Sequence, residues 1–241
     1  MSRSAIRRAI LTAALVLPST LIAQKPTAQS VFDKHAAAVG GVSAFRALTS
    51  VTEIGTADIT FAGIQAGYER KMSGGKMLQT IDVAGFGQVV QGFDGAVAWS
   101  VNPQSGPAKA SATESADAAA ATSFVASIFQ PGSYASADVL DATDFGGAKV
   151  WPVKVTSASG RARTVYFDQV TGLKVGELVS QGGVEMKVVY SDYKPFGAIK
   201  LPTKVTQGTP NGDVVVTITA VKFDPIDAAT FALPEAVKAL P

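Results

Sequence analysis

Few residues in this sequence have the types and spacing that chemistry at a protein site requires. The 241 residues contain no Cys and one His, which excludes thiolate metal sites, multi-His metal sites and a Cys nucleophile. That histidine, His35, falls on the apolar stripe of a predicted helix, where packing is its ordinary role. Four carboxylates are candidates for acid–base catalysis, but their spacing forces no two of them into one cleft: Asp141, Asp144, Asp168 and Asp192. The sequence therefore predicts a protein that is not an enzyme and that uses no metal and no cofactor.

About eleven segments alternate apolar and polar residues with the period of two that is typical of β-strands. Glycine pairs and Asp-Gly steps between them, such as Asp94 and Gly95, favour tight hairpin turns. Strand–helix units do not repeat, so a doubly wound fold is excluded and a curved antiparallel sheet or barrel is expected. The predicted strands are residues 50–61, 65–72, 76–83, 87–91, 96–101, 150–157, 163–167, 174–179, 184–192, 199–207 and 213–223.

Two segments predict helices that would pack on this sheet. Residues 31–39 place apolar side chains at helical spacing before a glycine pair, and predict an N-terminal helix. Residues 111–130 are rich in Ala and lack Pro and Gly, and predict a helix inserted between the two groups of strands. This second helix is apolar only at its end, as expected of a lid that docks by one end; an ordinary cross-connection is the alternative. The apolar residues of that end are Phe124, Ile128 and Phe129.

The N-terminus has the order of a secretory signal peptide. Three arginines within the first eight residues precede the uncharged, mostly apolar run 9–17, and the small residue Ala23 follows a short polar stretch. We expect cleavage after residue 23 and one mature domain, residues 24–241, located in the periplasm and not spanning a membrane. A membrane anchor is the alternative, but the apolar run is shorter than the roughly 20 residues that a spanning helix needs.

The charge of the mature chain does not favour a nucleic-acid partner. The full sequence has 21 Lys and Arg against 19 Asp and Glu, a net charge of +2. Removing the three arginines of the predicted signal peptide leaves 18 basic residues against 19 acidic ones. Since no basic stripe survives, we expect no nucleic acid among the partners.

One strand is the candidate wall of a binding pocket. Val97, Trp99 and Val101 share one face of the predicted strand 96–101. A sheet of this size has more apolar surface than two helices can cover, so a ligand, a protein partner or its own curvature must close it. We predict that Trp99 points into an apolar pocket closed by the apolar end of the inserted helix; a side chain that only fills the core is the alternative.

Residues 94–103, DGAVAWSVNP, are similar to a D-G-x-x-x-W-x-x-N-P stretch of the bacterial outer-membrane lipoprotein-sorting proteins, the periplasmic lipoprotein carrier and its outer-membrane receptor. The order of helix, strands, inserted helix and strands also resembles that family over nearly all of the mature chain. The resemblance implies an unclosed antiparallel barrel with a helical lid over an apolar cavity. It further implies binding of a hydrophobic small molecule or of lipoprotein acyl chains.

The same resemblance makes Arg70 a ligand-binding candidate. The carrier has a basic residue followed by proline on an early strand, and Arg70 and Lys71 occupy the similar region here without the proline. The lipidated Cys of the receptor is absent as well.

Three other functions remain open at this point. An accessory module would bury its open sheet on a periplasmic or outer-membrane protein partner. An outer-membrane β-barrel is less favoured, because 5 Tyr and 2 Trp make thin aromatic girdles. A hydrolase would need two of the scattered carboxylates to meet in one cleft.

Overall fold

The structure is a computed structural model that describes residues 25–181 and 183–240. The predicted signal peptide, residues 1–23, lies outside the described residues. Within them, fourteen strands form one sheet: β1 (Ser50–Ile59), β2 (Ile64–Ser73), β3 (Lys76–Val83), β4 (Gly87–Phe93), β5 (Ala98–Asn102), β6 (Gly106–Lys109), β7 (Ser136–Val139), β8 (Thr143–Phe145), β9 (Ala148–Thr156), β10 (Ala162–Asp168), β11 (Lys174–Gln181), β12 (Val184–Phe196), β13 (Ile199–Thr209) and β14 (Gly212–Lys222).

The sheet consists of two meanders joined along β1 and β14. Its strand order is β6-β5-β4-β3-β2-β1-β14-β13-β12-β11-β10-β9-β7, with β8 paired to β9. Every pair is antiparallel. Since β6 and β7 end the order without pairing to each other in the described residues, the barrel is unclosed. The mainly-β fold with a curved, open antiparallel sheet is confirmed, with fourteen strands in place of about eleven.

Four helices accompany the sheet in the described residues: α1 (Ala28–Ala38), α2 (Val42–Arg46), α3 (Ala112–Ala121) and α4 (Glu235–Lys238). The side chain of Thr27 caps α1 by accepting a hydrogen bond from the Ser30 amide, 3.1 Å away. Ser111 and Glu114 form a capping box at the start of α3. None of the helices described here combines the length and the hydropathy that crossing a bilayer requires.

The prediction of one continuous helix over residues 111–130 is wrong. α3 ends at Ala121, and the apolar residues that follow form a short 3-10 turn, Ala126–Ile128. The hydroxyl of Thr122 donates to the carbonyls of Gly75 and Ala119, and the hydroxyl of Ser123 accepts from the Ala126 amide. Such side-chain bonds to the backbone compete with helical ones, and they stop the helix here.

Helix α1 defines the two faces of the sheet. Val31 and Phe32 of α1 pack with Val153, Val165 and Phe167 of β9 and β10 in a buried cluster. We call the sheet face that meets α1 the inner face, and the opposite face the outer face. The helix end is fixed on β13, since the Lys200 amide donates to the Val39 carbonyl at 2.8 Å.

The inner face carries one apolar cluster that contains no helical residue. Seven strand residues from β1, β2, β3 and β14 form it, one of which is Tyr68 of β2. We call the six aliphatic members the apolar patch: Ala57, Ile64, Ala66, Ile81, Val83 and Val216. By contrast, the two other clusters both include residues of α1 and of the segment after α3. Among the described residues, the clusters that include α1 are thus separate from the apolar patch.

Candidate ligand-binding site

The segment after α3 docks on the inner face by two buried apolar residues. We call residues 124–130 the lid segment. Its Phe129 ring stacks on Phe32 of α1 at 5.0 Å and meets the edge of Phe167 at 5.4 Å between centroids. Ile128 is buried in a second cluster with Val39 and Ile199. The lid segment therefore ties α1 to the β9–β10 half of the sheet.

A groove of about 590 Å³ opens beside the lid segment. Phe124 lines it together with Phe45 and Leu48 near α2, and with Gly75 at the β2–β3 turn. Phe124 is only half-buried, unlike Phe129, which is 3% exposed. Of the three lid residues predicted to bind ligand, Phe124 is thus the one with an open side.

Trp99 lies on the outer face, away from the lid segment. On β4 and β5, Phe93 pairs with Ala98 and Gly92 pairs with Trp99. Strand pairing carries the inner face from Arg70 on β2 through Met77 on β3 to Phe93 on β4. The neighbouring pair, Gly92 and Trp99, must therefore point to the outer face. A Cβ on Gly92 would lie 2.3 Å from indole atoms of Trp99, which shows that the ring lies across that glycine.

Of the two residues predicted to share the pocket with Trp99, Val101 lies on the outer face and Val97 lies in a turn. Val101 alternates with Trp99 along β5 and pairs with Val90. Val97 precedes the strand in a turn, where its amide donates to the Asp94 carboxylate at 2.8 Å. The structure does not bring Val97, Trp99 or Val101 together with the lid segment, and their ligand-binding roles stay predictions.

Charged side chains and tyrosines occupy the centre of the inner face. Arg70 on β2 pairs directly across from Glu53 on β1, and its Nη2 lies 2.8 Å from a Glu53 carboxylate oxygen. The Glu53 side chain is 5% exposed, whereas the Arg70 side chain is 36% exposed. Arg70 thus reaches from a buried ion pair toward the open side of the inner face.

A second charged group faces it from β10, β11 and β12. Lys174 Nζ lies 3.7 Å from the centroid of the Tyr190 ring, and the Tyr190 hydroxyl donates to Glu177. Arg163 Nε lies 3.7 Å from the same carboxylate, and its guanidinium is 5.9 Å from the Phe129 ring of the lid segment. This group therefore reaches to the lid.

The two groups lie on different halves of the sheet but on the same face of it. β2 and β11 are five strand steps apart in the strand order. Burial lowers the pKa of Lys174 most, and the positive charges of Arg163 and Arg70 lower it further, whereas the Glu177 carboxylate raises it.

The protonation states in this region follow from burial and from neighbouring charges. The Glu53 carboxylate raises the pKa of Arg70, which stays charged. Burial raises the pKa of Glu177, but Lys174 and Arg163 outweigh it and bring that pKa below its usual value. Burial, and next the charge of Lys174, lower the pKa of His35 to about 4, so this imidazole is neutral at pH 7. The five charged side chains comprise three basic and two acidic ones: Arg70, Arg163, Lys174, Glu53 and Glu177.

Along β2, the inner face changes from apolar to charged. Every second residue of β2 points to this face, from the β1–β2 hairpin toward the β2–β3 turn beside the lid segment: Ile64, Ala66, Tyr68 and Arg70. From Ile64 to Arg70 there are six steps of about 3.4 Å, which make this gradient roughly 20 Å long. Such a surface suits a molecule that is apolar along its length and polar at one end.

Three of the four carboxylates considered for acid–base catalysis have local partners. Asp141 pairs with Lys25, and Asp144 pairs with Lys149 at 2.9 Å. The Asp168 carboxylate accepts the Thr171 amide and hydroxyl within the β10–β11 turn.

Comparison with known proteins gives matches in structure alone. No family model matches the sequence, and no curated protein matches it. A LolA superfamily protein from Nitrosomonas europaea superposes with a TM-score of 0.58 at 17% identity, covering 86% of this chain and 98% of that one. A putative outer membrane lipoprotein-sorting protein domain from Vibrio parahaemolyticus gives 0.51 at 10% identity, covering 80% and 91%. The chain has the LolA fold. A DUF1329 family protein from Desulfovibrio piger shares it, with a TM-score of 0.58, 11% identity, and coverage of 85% and 96%.

Within this LolA fold, the motif at residues 94–103 builds turns. The Asp94 carboxylate accepts the amides of Ala96 and Val97, both at 2.8 Å, and the Asn102 side chain accepts the Gln104 amide at 2.8 Å. These contacts set the two ends of β5, which explains the spacing of the motif without a ligand.

Sequence reasoning missed most of the charged group on the LolA-like inner face. It singled out Arg70, which the structure places at the centre, but not Lys174, Glu177 or Tyr190. Lys174 and Glu177 are separated by an irregularity of the β10–β11 register at Phe167, so simple alternation does not place them on one face. On β2, the one charged residue among the inner-facing side chains, Arg70, is the feature of the sequence that indicates this group.

Proposed function

We propose that the protein is a non-enzymatic periplasmic binding protein for a hydrophobic ligand: an acyl chain, a lipid or a lipoprotein. The observation that carries this proposal is the apolar patch, a cluster on the inner face that includes no residue of a helix described here. The half-buried side chains of the patch, Ile64, Ile81 and Val216, would be stabilised by an apolar ligand at about 25 cal/mol per Å² removed from water. The LolA fold, shared with a lipoprotein-sorting domain, supports the same assignment.

The proposal is tested with the neutral fluorescent probe N-phenylnaphthylamine. We expect the purified protein to bind the probe and hexadecanol to displace it. Val216→Gln, on the inner face, should weaken binding by about tenfold, because a side-chain amide would meet the acyl chain. Val215→Gln is the matched control, because Val215 is next to Val216 on β14, points to the outer face and is also half-buried.

Equal binding by the two valine variants would contradict the proposal. So would a wild-type protein that binds neither the probe nor hexadecanol. Native mass spectrometry of the protein purified from its host provides an independent check, because a carrier should retain a lipid that organic solvent extracts.

A second candidate, an accessory module that docks on a periplasmic or outer-membrane protein, is favoured by one observation. Three exposed apolar side chains, Phe61, Phe86 and Val184, lie at the β1–β2, β3–β4 and β11–β12 hairpins. The antiparallel order places these hairpins at the same end of the sheet, opposite the β2–β3 turn that contacts α3. Pull-down with Phe61→Ser and Phe86→Ser variants tests this candidate: loss of a specific partner, with probe binding unchanged, would support it.

A further inference from the structure

Lys174 is a cation without a direct ion pair among the described residues. Its ammonium group makes no salt bridge within 4 Å and donates no hydrogen bond there, and it lies 3.7 Å from the centroid of the Tyr190 ring. The Glu177 carboxylate is near enough to raise the pKa of Lys174. The nearby carboxylate of Glu177 is already shared by Tyr190 and Arg163. A partly buried charge without a partner is costly to a fold, and such groups concentrate where ligands bind.

Arg70 has unused hydrogen-bonding capacity on the same inner space. A guanidinium carries five N–H donors, and the ion pair with Glu53 is made through Nη2. The Nε of Arg70 is buried and has no partner. The side chain is also the most exposed member of its ion pair, at 36% against 5% for Glu53.

We propose that the inner face selects amphiphiles with an anionic head, a carboxylate or a phosphate, held by Lys174 and Arg70 while the acyl chain lies on the apolar patch. This inference rests on the proposed function and names the class of ligand. Charge complementarity is its first support, because three basic side chains face only two acidic ones at the centre of this face. Its second support is the gradient along β2, which places Arg70 at one end of a surface that is apolar at the other end.

The position of the group relative to the lid fits a buried head. Arg163 contacts both Glu177 and the Phe129 ring, so the charged group lies directly beside the lid segment. Charge-assisted hydrogen bonds are stronger in such partly desolvated places than in water. An anion beside Lys174 would supply the direct ion pair that the described residues do not.

The test compares ligands that differ only in the head. Hexadecanoic acid, hexadecyl phosphate and hexadecanol are each used to displace N-phenylnaphthylamine from the wild-type protein. We expect the acid or the phosphate to bind about tenfold tighter than the alcohol, the size of one charge-assisted hydrogen bond. Lys174→Met should abolish this preference and leave hexadecanol binding intact, and Lys174→Arg should retain it. Lys154→Met, at an exposed position of β9, is the matched control and should change nothing.

The outcomes separate the two proposals. If hexadecanol binds as tightly as both anionic ligands, the charged head is not recognised, although the protein still binds acyl chains. If Lys174→Met weakens hexadecanol as much as the acid, Lys174 serves the fold and the inference is overturned. If inorganic phosphate alone competes with hexadecyl phosphate at similar concentrations, the ligand is a free anion and not an amphiphile. If none of the three hexadecyl ligands binds, the proposed function is overturned instead.

Discussion

Lowering the pH should destabilise this protein through His35. The imidazole is 3% exposed, and its Nδ1 donates to the Gly172 carbonyl at 3.1 Å. Phe129 and Phe167 lie against it, with ring centroids at 6.1 and 5.3 Å. Burial in this apolar setting, with Lys174 nearby, lowers its pKa from 6.5 to about 4, and the bond to Gly172 opposes this only in part.

The sign and size of the effect follow from the two pKa values. In the unfolded chain the imidazole takes up a proton near pH 6.5, whereas in the folded protein it does so only near pH 4. Between these values the unfolded state binds more protons, so the free energy of unfolding falls as the pH falls through this window. A difference of about 2.5 in pKa corresponds to roughly 3 kcal/mol, at 1.36 kcal/mol for each pH unit. This is a large part of the stability of an ordinary domain.

Urea unfolding from about pH 7 to pH 4 measures this loss, and His35→Asn isolates it. The asparagine amide can still donate toward Gly172 but does not titrate, and the sequence has no other histidine. We expect the wild-type free energy of unfolding to fall by roughly 3 kcal/mol more than that of the variant. Parallel pH profiles for the two proteins would refute the reasoning, because carboxylate titration is common to both.

Two further predictions concern packing and charge. Gly92→Ala should lower the free energy of unfolding by about 1–3 kcal/mol and shift Trp99 fluorescence, since the new Cβ would meet the indole. Gly67→Ala is its control, because a Cβ there lies 3.6 Å from its nearest neighbour, and similar losses in both variants would contradict the placement of Trp99. Arg70→Met should cost about 3 kcal/mol by leaving the Glu53 carboxylate buried and unpaired, and adding Glu53→Gln should restore most of it in chemical denaturation. A double variant no more stable than Arg70→Met would show that the ion pair is not the cause.

The strands were predictable because their side chains alternate, and the exceptions have physical causes. β3, for example, has the predicted bounds, residues 76–83. β6, β7 and β8 were missed because they have four, four and three residues, too few for a period of two to stand out. Their pairing depends on neighbouring strands, which a local pattern does not contain.

The site was less predictable than the fold, since alternation shows which residues share a face but not which face is inner. Val97, Trp99 and Val101 form an apolar set in the sequence, and the register of β4 and β5 turns Trp99 outward. The charged group depends on strand order and register, which place Arg70 and Lys174 on one face although they come from opposite halves of the chain. No local spacing in the sequence encodes that arrangement.

The uneven helical cover of the inner face separates stability from binding. Phe32, Phe129 and Phe167 join α1, the lid segment and β10, so truncating any of them removes core packing. The cluster of the apolar patch includes no residue of a described helix, and Ile64, Ile81 and Val216 in it are half-buried. The charged group lies next to the lid segment, since the Arg163 guanidinium is 5.9 Å from the centroid of the Phe129 ring. Changes at the phenylalanines should therefore act through folding, and changes at Lys174 and at the half-buried patch residues through ligand binding, whereas changes at Arg70 should affect both.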